Sequence, residues 1–147
     1  MRIGIASDHA GFEQKQMLVS YLAGIGHDVV DYGPDSDDRV DYPDYAERVA
    51  DAVASGDVER GVLVCGTGIG MAVAANKVRG IRAANVVSPE FAALAREHND
   101  ANVVTVSGRF VDEATNRAIV DAFIATEFGG GRHAGRVEKI ALIEQRV

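Results

Sequence analysis

Short apolar runs alternate along this chain with longer stretches whose apolar residues recur at helical spacing. The five short runs, several of them rich in valine and isoleucine, are residues 2–7, 27–32, 61–65, 81–87 and 103–106. This alternation predicts strands joined by helices, and strands connected in that way form a parallel sheet. We therefore expect an α/β fold of three layers, with a five-stranded parallel sheet between helices on both faces.

Several helices are marked by residues that cap or start them. Ser88 followed by Pro89 predicts a helix that runs to about Glu97, because serine caps and proline suits a first helical position. Asp112 predicts the cap of another helix by the same reasoning. A further helix is predicted over Met71–Lys77.

The length of 147 residues is typical of one compact domain, so we expect residues 1–147 to form a single domain. The stretch from about 129 to 147 follows three glycines and is expected to be a helical tail that contacts a partner subunit. No apolar run approaches the ~20 residues of a membrane helix, so we expect no contact with a membrane. The start MRIGIASD also lacks the apolar region of a secretory signal, and we expect a cytoplasmic protein.

The formal net charge of −7 argues against a nucleic-acid partner, since such binding depends on basic residues that neutralise phosphates. Residues 129–147 nevertheless carry four basic side chains against two acidic ones. That excess fits a small anion better than a polyanion, and scattered surface charge is the alternative explanation. The single cysteine excludes an internal disulfide and any zinc site built from several cysteines.

A glycine-rich segment lies between the third predicted strand and the helix after it: Gly66-Thr67-Gly68-Ile69-Gly70, called the glycine turn below. Glycines allow the backbone to direct several N–H groups toward one point, which binds phosphate or an oxyanion formed in a reaction. A tight connection that binds no ligand is the alternative. A dinucleotide site is disfavoured because its pattern would need glycine at Met71, and a P-loop is excluded because no Gly-Lys-Ser/Thr follows.

Cys65 ends the third predicted strand, directly before the glycine turn. A cysteine in such a position is often an inert, buried apolar residue. The start of the neighbouring helix favours a thiolate, and Thr67 could donate a hydrogen bond to the same centre, so Cys65 is also a candidate base or nucleophile. Both interpretations stay open from position alone.

Polar residues are expected to gather beyond the carboxyl ends of the strands, where parallel sheets bind ligands. We place there Asp8 and His9 after the first strand, Cys65 and its turn after the third, and His98 with Asn99 beside the fifth. No spacing among the histidines indicates a metal site.

Arg132 and Arg136 are four residues apart and share a helix face if the last helix begins early enough. Together with His133 they predict a phosphate clamp, because guanidinium groups match the geometry of phosphate oxygens. A solvated helix face is the alternative.

Seven short motifs follow one another over nearly the whole chain: Ser7-Asp8-His9-Ala10-Gly11, Asp41-Tyr42-Pro43, Cys65-Gly66-Thr67-Gly68-Ile69-Gly70, Ala74-Ala75-Asn76-Lys77, Gly80-Ile81-Arg82-Ala83, His98-Asn99-Asp100 and Gly130-Gly131-Arg132-His133. Together they resemble the ribose-5-phosphate isomerase B family and its sugar-phosphate isomerase relatives. The resemblance implies a Rossmann-like homodimer, or a tetramer, with active sites shared between subunits. It also implies interconversion of aldose and ketose phosphates without metal or cofactor.

The resemblance further implies a role for each matching residue. Cys65 would be the base that moves a proton between C1 and C2 of the sugar. Thr67 and the backbone of the glycine turn would stabilise the enediolate, and His98 would open the furanose ring. Asp8, Tyr42 and Asn99 would assist ring opening. The phosphate would be held by His9, Arg132, Arg136 and, as an additional candidate, Arg109, with Arg132 and Arg136 supplied by the partner subunit.

A sister branch of the family has glutamate at the position of Ile69 and serine in place of the cysteine, whereas this chain has the cysteine form. Ribose 5-phosphate and ribulose 5-phosphate are the first expected pair. Galactose 6-phosphate, allose 6-phosphate and a tetrulose phosphate are alternatives within the class. A sugar-phosphate binding module without turnover is the alternative outside it.

Overall fold

Strands and helices alternate along the computed structural model, which describes residues 1–146. The strands are β1 (Arg2–Ser7), β2 (Asp28–Asp31), β3 (Arg60–Cys65), β4 (Ala83–Asn85) and β5 (Val103–Ser107). The helices are α1 (Phe12–Gly24), α2 (Tyr42–Ser55), α3 (Ile69–Ala75), α4 (Pro89–Asn99), α5 (Glu113–Ala125) and α6 (Ala134–Glu144). One turn of 3₁₀ helix, Gly131–His133, precedes α6.

The strands form one sheet in the order β2-β1-β3-β5-β4, and every neighbouring pair is parallel. Successive residues of the central strands point to opposite faces, as in any pleated strand. On β5, Val104 and Val106 pack into the core shared with α1, α4 and α5, whereas Val103 packs into the core shared with α2 and α3. The predicted three-layer α/β fold is confirmed.

The two edge strands are shorter than the apolar runs that predicted them. The run 81–87 contributes only Ala83–Asn85, and the run 27–32 contributes only Asp28–Asp31. Each of these strands has a single neighbour and pairs with only part of it: β4 ends opposite Thr105 of β5, and β2 ends opposite Ile5 of β1. α3 begins at Ile69 rather than Met71, because Gly68 takes a positive φ of +84° and starts the helix early.

The predicted helix caps are present. The Ser88 hydroxyl accepts a hydrogen bond from the Phe91 amide at 3.3 Å, and Asp112 accepts one from the Thr115 amide at 2.8 Å. Each bond satisfies an N–H group that has no partner inside its helix.

The C-terminal helix rests on the outside of the molecule. No side chain of α6 is buried, and Glu144 near its end accepts a hydrogen bond from the Gly80 amide at 3.1 Å. The preceding segment is held to the end of α4, because the Gly129 amide donates to the Glu97 carbonyl at 2.9 Å. Val147, the last residue of the predicted tail, lies outside the described residues.

Candidate active site

The carboxyl ends of three adjacent strands bring the glycine turn together with two neighbouring segments. In the parallel register Ser7 pairs with Val64, and Cys65 pairs with Ser107. The residues that follow these strands therefore meet at one edge of the sheet. The segments are Asp8–His9 after β1, residues 66–70 after β3 and residues 108–109 after β5.

The glycine turn directs an amide at the Cys65 sulfur. The Gly68 N–H donates to Cys65 Sγ with the two atoms 3.1 Å apart, and the side chain is 5% exposed. This donor stabilises negative charge on the sulfur, as charge-assisted hydrogen bonds do. The Ile69 N–H donates to Thr67 Oγ1 at 3.1 Å, so the threonine hydroxyl is held over the start of α3.

Gly68 occupies a position that a residue with a side chain would strain. Its φ of +84° lies in the left-handed region, and a Cβ there would overlap Asn85 Oδ1 and lie 3.0 Å from the Val106 backbone. The close approach to β5 and the backbone conformation therefore both require glycine.

Asp8 and His9 lie beside Cys65 on the neighbouring strand. The buried Asp8 carboxylate accepts a hydrogen bond from the Gly11 amide at 3.0 Å, which orients it at the start of α1. His9 Nδ1 accepts a hydrogen bond from the Val40 amide at 3.3 Å. Because Nδ1 is an acceptor, the neutral ring carries its proton on Nε2 and presents that atom as a donor.

Tyr42 and Arg109 flank the glycine turn from two sides. The Tyr42 ring covers Gly70 so closely that a Cβ on Gly70 would lie 2.7 Å from Tyr42 Cε1. The Arg109 guanidinium lies against Gly66, with Nη1 3.4 Å from the position of a Cβ. The structure therefore brings a phenol and a cation to the same edge as the thiol.

His98 and Asn99 do not lie at this edge, and the expectation that they would is wrong for a single chain. They end α4, which runs back along the sheet, and residues 101–102 then lead into the amino end of β5. Val103 pairs with Gly61 at the start of the ladder, whereas Cys65 pairs with Ser107 at its end. The first and the last pair of this ladder are four residues apart, which corresponds to about 13 Å along the strand.

A second polar group surrounds His98 at the amino end of the sheet. The His98 and His133 rings stack with centroids 4.3 Å apart and an interplanar angle of 16°. Together with Asn99 and the two predicted phosphate ligands they line a groove of about 280 Å³. We call this group the tail cluster: His98, Asn99, Arg132, His133 and Arg136.

The tail cluster is electropositive. Desolvation lowers the pKa of His133 below its ordinary value of 6.5, and His98, Arg132 and Arg136 lower it further. His133 is therefore held neutral beside two guanidinium groups. An anion in this groove would meet both cations and would also favour protonation of His133. The sequence interpretation grouped His133 with the arginines and gave no indication of its stacking on His98.

The sequence interpretation did not identify two buried residues that lie beneath the glycine turn. Thr105 and Ser107 are buried on β5 and donate to the carbonyls of Gly68 and Gly66 at 2.8 and 2.7 Å. Their signal in the sequence is the run Val103-Val104-Thr105-Val106-Ser107, in which two hydroxyl residues interrupt an apolar strand.

Within residues 1–146, no three or more histidine, cysteine or acidic side chains are grouped so that they could hold a metal ion. None of the helices described is both long and apolar enough to span a membrane.

Comparison with known proteins places these features in a family. The sequence model described as Ribose/Galactose Isomerase matches residues 3–140. Ribose-5-phosphate isomerase B of Escherichia coli strain K12 is 47% identical over 145 residues, which cover 99% of this chain and 97% of the relative.

Solved structures agree with the sequence comparison. The structure of ribose-5-phosphate isomerase B from Clostridium thermocellum matches with a TM-score of 0.98 and 46% identity, over 99% of both chains. The enzyme of the same name from Mycoplasma genitalium, solved with bound ribulose-5-phosphate, matches with a TM-score of 0.94 and 47% identity, over 99% of this chain and 97% of that one. This chain therefore belongs to the ribose/galactose isomerase family.

Proposed function

We propose that this protein interconverts ribose 5-phosphate and ribulose 5-phosphate by proton transfer at Cys65. The observation that carries the proposal is the Gly68 N–H that points at Cys65 Sγ from 3.1 Å inside the glycine turn. It is supported by 47% identity to an enzyme named ribose-5-phosphate isomerase B and by a relative that binds ribulose 5-phosphate.

The proposed reaction begins with the open-chain aldose. The Cys65 thiolate removes the proton from C2, and the electron pair moves onto the carbonyl oxygen O1 to give a cis-enediolate. Return of the proton to C1, with transfer of the O2 hydroxyl proton to O1, produces the ketose. The developing charge on oxygen is stabilised by amides of the glycine turn and by Thr67, since fixed dipoles lower the barrier where charge develops.

Ring opening and phosphate binding need groups from the carboxyl edge of the sheet and from the tail cluster. We propose that His98 opens the furanose ring, with Asp8, Tyr42 and Asn99 as assisting groups. The phosphate is held by His9 and Arg109 at the carboxyl edge and by Arg132 and Arg136 of the tail cluster. Binding the phosphate far from the reacting carbons orients C1 and C2 against the sulfur.

A second copy of the chain completes this site in the proposal. Within one chain His98 precedes the amino end of β5, whereas Cys65 lies at the carboxyl end of β3, about 13 Å further along the ladder, too far for both to contact C1 and C2. A homodimer in which the tail cluster of one copy faces the glycine turn of the other removes that separation. Exposed apolar side chains on α6, Ile140, Leu142 and Ile143 at 41%, 51% and 59%, support a role for the tail in subunit contact.

A cytoplasmic location is part of the same proposal. The single cysteine is a free thiol, and a catalytic thiol is best preserved in a reducing compartment.

The proposal is tested by an isomerase assay on aldose and ketose phosphates of four, five and six carbons. We expect the highest kcat/KM for ribose 5-phosphate. Cys65→Ser keeps the size of the side chain and an acceptor for the Gly68 amide but is a far weaker base. We expect it to lower kcat by about 10²–10⁴-fold, the usual contribution of a general base.

Three results would contradict parts of this proposal. Wild-type protein that binds sugar phosphates without turning any of them over would identify a binding module. A preference for a six-carbon or a four-carbon sugar would replace the substrate. A Cys65→Ser variant as active as wild type would remove the assignment of the base.

A further inference from the structure

The glycine turn is held from below by two hydroxyl groups of β5. The Gly66 carbonyl accepts hydrogen bonds from the Ser107 hydroxyl at 2.7 Å and from the Arg109 amide at 3.1 Å. The Gly68 carbonyl accepts one from the Thr105 hydroxyl at 2.8 Å. Thr105 is 0% exposed and Ser107 is 2% exposed, so neither hydroxyl has access to solvent or to a sugar in the site.

The direction of these carbonyls determines where the amides of the turn point. In a trans peptide the C=O of one residue and the N–H of the next are antiparallel. Because the Gly66 and Gly68 carbonyls point toward β5, the N–H groups of Thr67 and Ile69 point away from it. The Thr67 amide belongs to the segment that faces the substrate in the proposed function. The Ile69 amide donates to Thr67 Oγ1 at 3.1 Å and so orients the threonine hydroxyl of the same segment.

Besides the two hydroxyls, the Ala72 amide of α3 donates to the Gly68 carbonyl at 3.2 Å. Gly68 has a φ of +84°, and the Thr67 side chain is exposed. Glycine peptides rotate at low cost, so an oxyanion site built on them needs fixed partners on the carbonyl side. Burying a hydroxyl is costly unless it is hydrogen-bonded, whereas valine would fit the apolar strand at no such cost.

We propose that Thr105 and Ser107 are positioning residues: Ser107 aims the Thr67 amide at the enediolate, and Thr105 aims the Thr67 hydroxyl at it through the Ile69 amide. They contact no substrate and act through the carbonyls of Gly68 and Gly66. The Ser107 hydroxyl also accepts a hydrogen bond from the Phe110 amide at 2.9 Å, and Thr105 Oγ1 lies 3.2 Å from Asn85 Oδ1. This inference rests on the proposed isomerase function and extends it to residues on the neighbouring strand. The side chains act before the reaction, by removing the need for the peptides to reorient when charge develops on oxygen.

Thr105→Val tests the proposal because it removes the hydroxyl and keeps the shape of the side chain. Thr105→Ser restores a hydroxyl at the same position. Val104→Ala is the control, since Val104 is a buried neighbour on the same strand that packs into the opposite core. The control is expected to cost at least as much stability as Thr105→Val.

The measurements separate positioning from stability. We expect Thr105→Val to lower kcat about ten- to a hundredfold, since misaligned oxyanion donors lose much of their effect. The inhibition constant of a four-carbon phosphorylated hydroxamate, whose planar group imitates the enediolate, is expected to rise by the same factor as kcat/KM falls. The inhibition constant of inorganic phosphate is expected to stay unchanged. Thr105→Ser is expected to recover most of the loss, and Val104→Ala to lower Tm with little change in kcat.

The proposal is overturned if Thr105→Val lowers Tm and leaves kcat and hydroxamate affinity as they are in wild type. It is equally overturned if phosphate and hydroxamate affinity fall together. Ser107→Ala is the second variant and is expected to show the same pattern, since the Gly66 carbonyl loses one of its two donors.

Failure of the proposed function is recognised separately. Turnover by the wild-type protein decides whether it is an isomerase. Hydroxamate binding by calorimetry, compared between wild type and Thr105→Val, decides the positioning role without any turnover. Equal affinities in that comparison would overturn the inference even if the protein proved to be an active isomerase.

Discussion

At the scale of single residues, the hydrogen bond to the Cys65 sulfur depends on the backbone geometry of the glycine turn. Its sulfur accepts a hydrogen bond from the Gly68 amide, and Gly68 can present that amide only at a positive φ and close to β5. A side chain at this glycine would therefore disturb both the fold of the turn and the hydrogen bond to the Cys65 sulfur.

Gly68→Ala should consequently lose both stability and activity. We expect the left-handed φ and the overlap with Asn85 Oδ1 to cost on the order of 1–3 kcal/mol of unfolding free energy, measured by urea denaturation. Gly80→Ala is a matched control, because Gly80 has the same φ of +84° with no atom within 4 Å of its Cβ position. Gly80→Ala should lose only the unfolding free energy that the left-handed backbone conformation costs, and its kcat should stay unchanged. Equal losses in both variants would show that the packing against β5 is unimportant.

The sequence allowed the thiol and its turn to be predicted because they are adjacent in the chain. A cysteine at the end of an apolar strand followed by three glycines in five residues is a local pattern. The roles of Thr105 and Ser107 could not be predicted in this way. They reach the turn only because β5 lies next to β3, and strand order is set by packing of the whole sheet.

At the scale of elements, α4 connects the two ends of the sheet. It begins at the carboxyl edge with the Ser88 cap and ends at the amino edge with His98. Arg96 near its end donates to the Thr126 carbonyl at 3.0 Å and to the Ala101 carbonyl at 2.7 Å, so it ties the end of α5 to the start of β5. The position of the tail cluster therefore depends on this helix.

Removing the cap of α4 should destabilise the protein by a measurable amount. We expect Ser88→Ala to lower the free energy of unfolding by about 1 kcal/mol, because the Phe91 amide loses its acceptor. Ser20→Ala is the control, since Ser20 is exposed inside α1 and alanine is a good helix former. Urea denaturation of both variants measures the effect. A loss for Ser88→Ala no larger than that for the control would show that the cap contributes nothing.

Docking of the tail should depend on pH through His133. Desolvation, His98, Arg132 and Arg136 lower its pKa, while Glu97 opposes them, so the folded tail favours the neutral ring more than an unfolded chain does. The neutral His133 ring therefore stabilises the docked tail. This stabilisation is fully present above the ordinary pKa of 6.5 and is lost as the pH falls through the lower pKa of the folded state.

Hydrogen exchange measures this effect directly. Between pH 7.5 and 5.5 we expect the amides of residues 131–144 to lose protection relative to those of the core, after correction for intrinsic exchange rates. His133→Phe keeps a ring that can stack on His98 and does not titrate. The same pH-dependent loss in that variant would show that another group is responsible.

The central strands were predicted well because they are continuous apolar runs buried on both faces, and α4 and α5 because caps mark where they begin. The edge strand β4 was predicted too long, since its apolar run continues beyond the part that has a partner strand. An apolar pattern indicates burial rather than strand pairing: Ile81 at 3% and Val86 at 5% exposure are buried, although neither belongs to β4.

At the scale of the whole molecule, the residues proposed to act in catalysis and binding are divided between the two ends of the sheet. The sequence interpretation placed His98 beside Cys65 because it treated nearness to a strand as nearness to that strand's carboxyl end. The chain enters β5 from α4 at the amino end, so His98 lies at the far edge. A single chain does not bring all residues of the predicted site together: Cys65 and the glycine turn lie at the carboxyl edge, whereas the tail cluster lies at the amino edge.

If a symmetric dimer joins the two ends of the sheet, a mixture of two inactive variants should recover a defined fraction of the wild-type activity. Cys65→Ser disables the carboxyl edge, and Arg136→Ala weakens phosphate binding in the tail cluster, so each variant alone should have little activity at substrate concentrations below KM. After unfolding and refolding as an equal mixture, half of the dimers combine both variants. In each mixed dimer one of the two sites draws its thiol and its arginine from unmutated edges, so about a quarter of the wild-type activity should return. If each site were built from one chain, no intact site could form, and the mixture would be no more active than the average of the two variants.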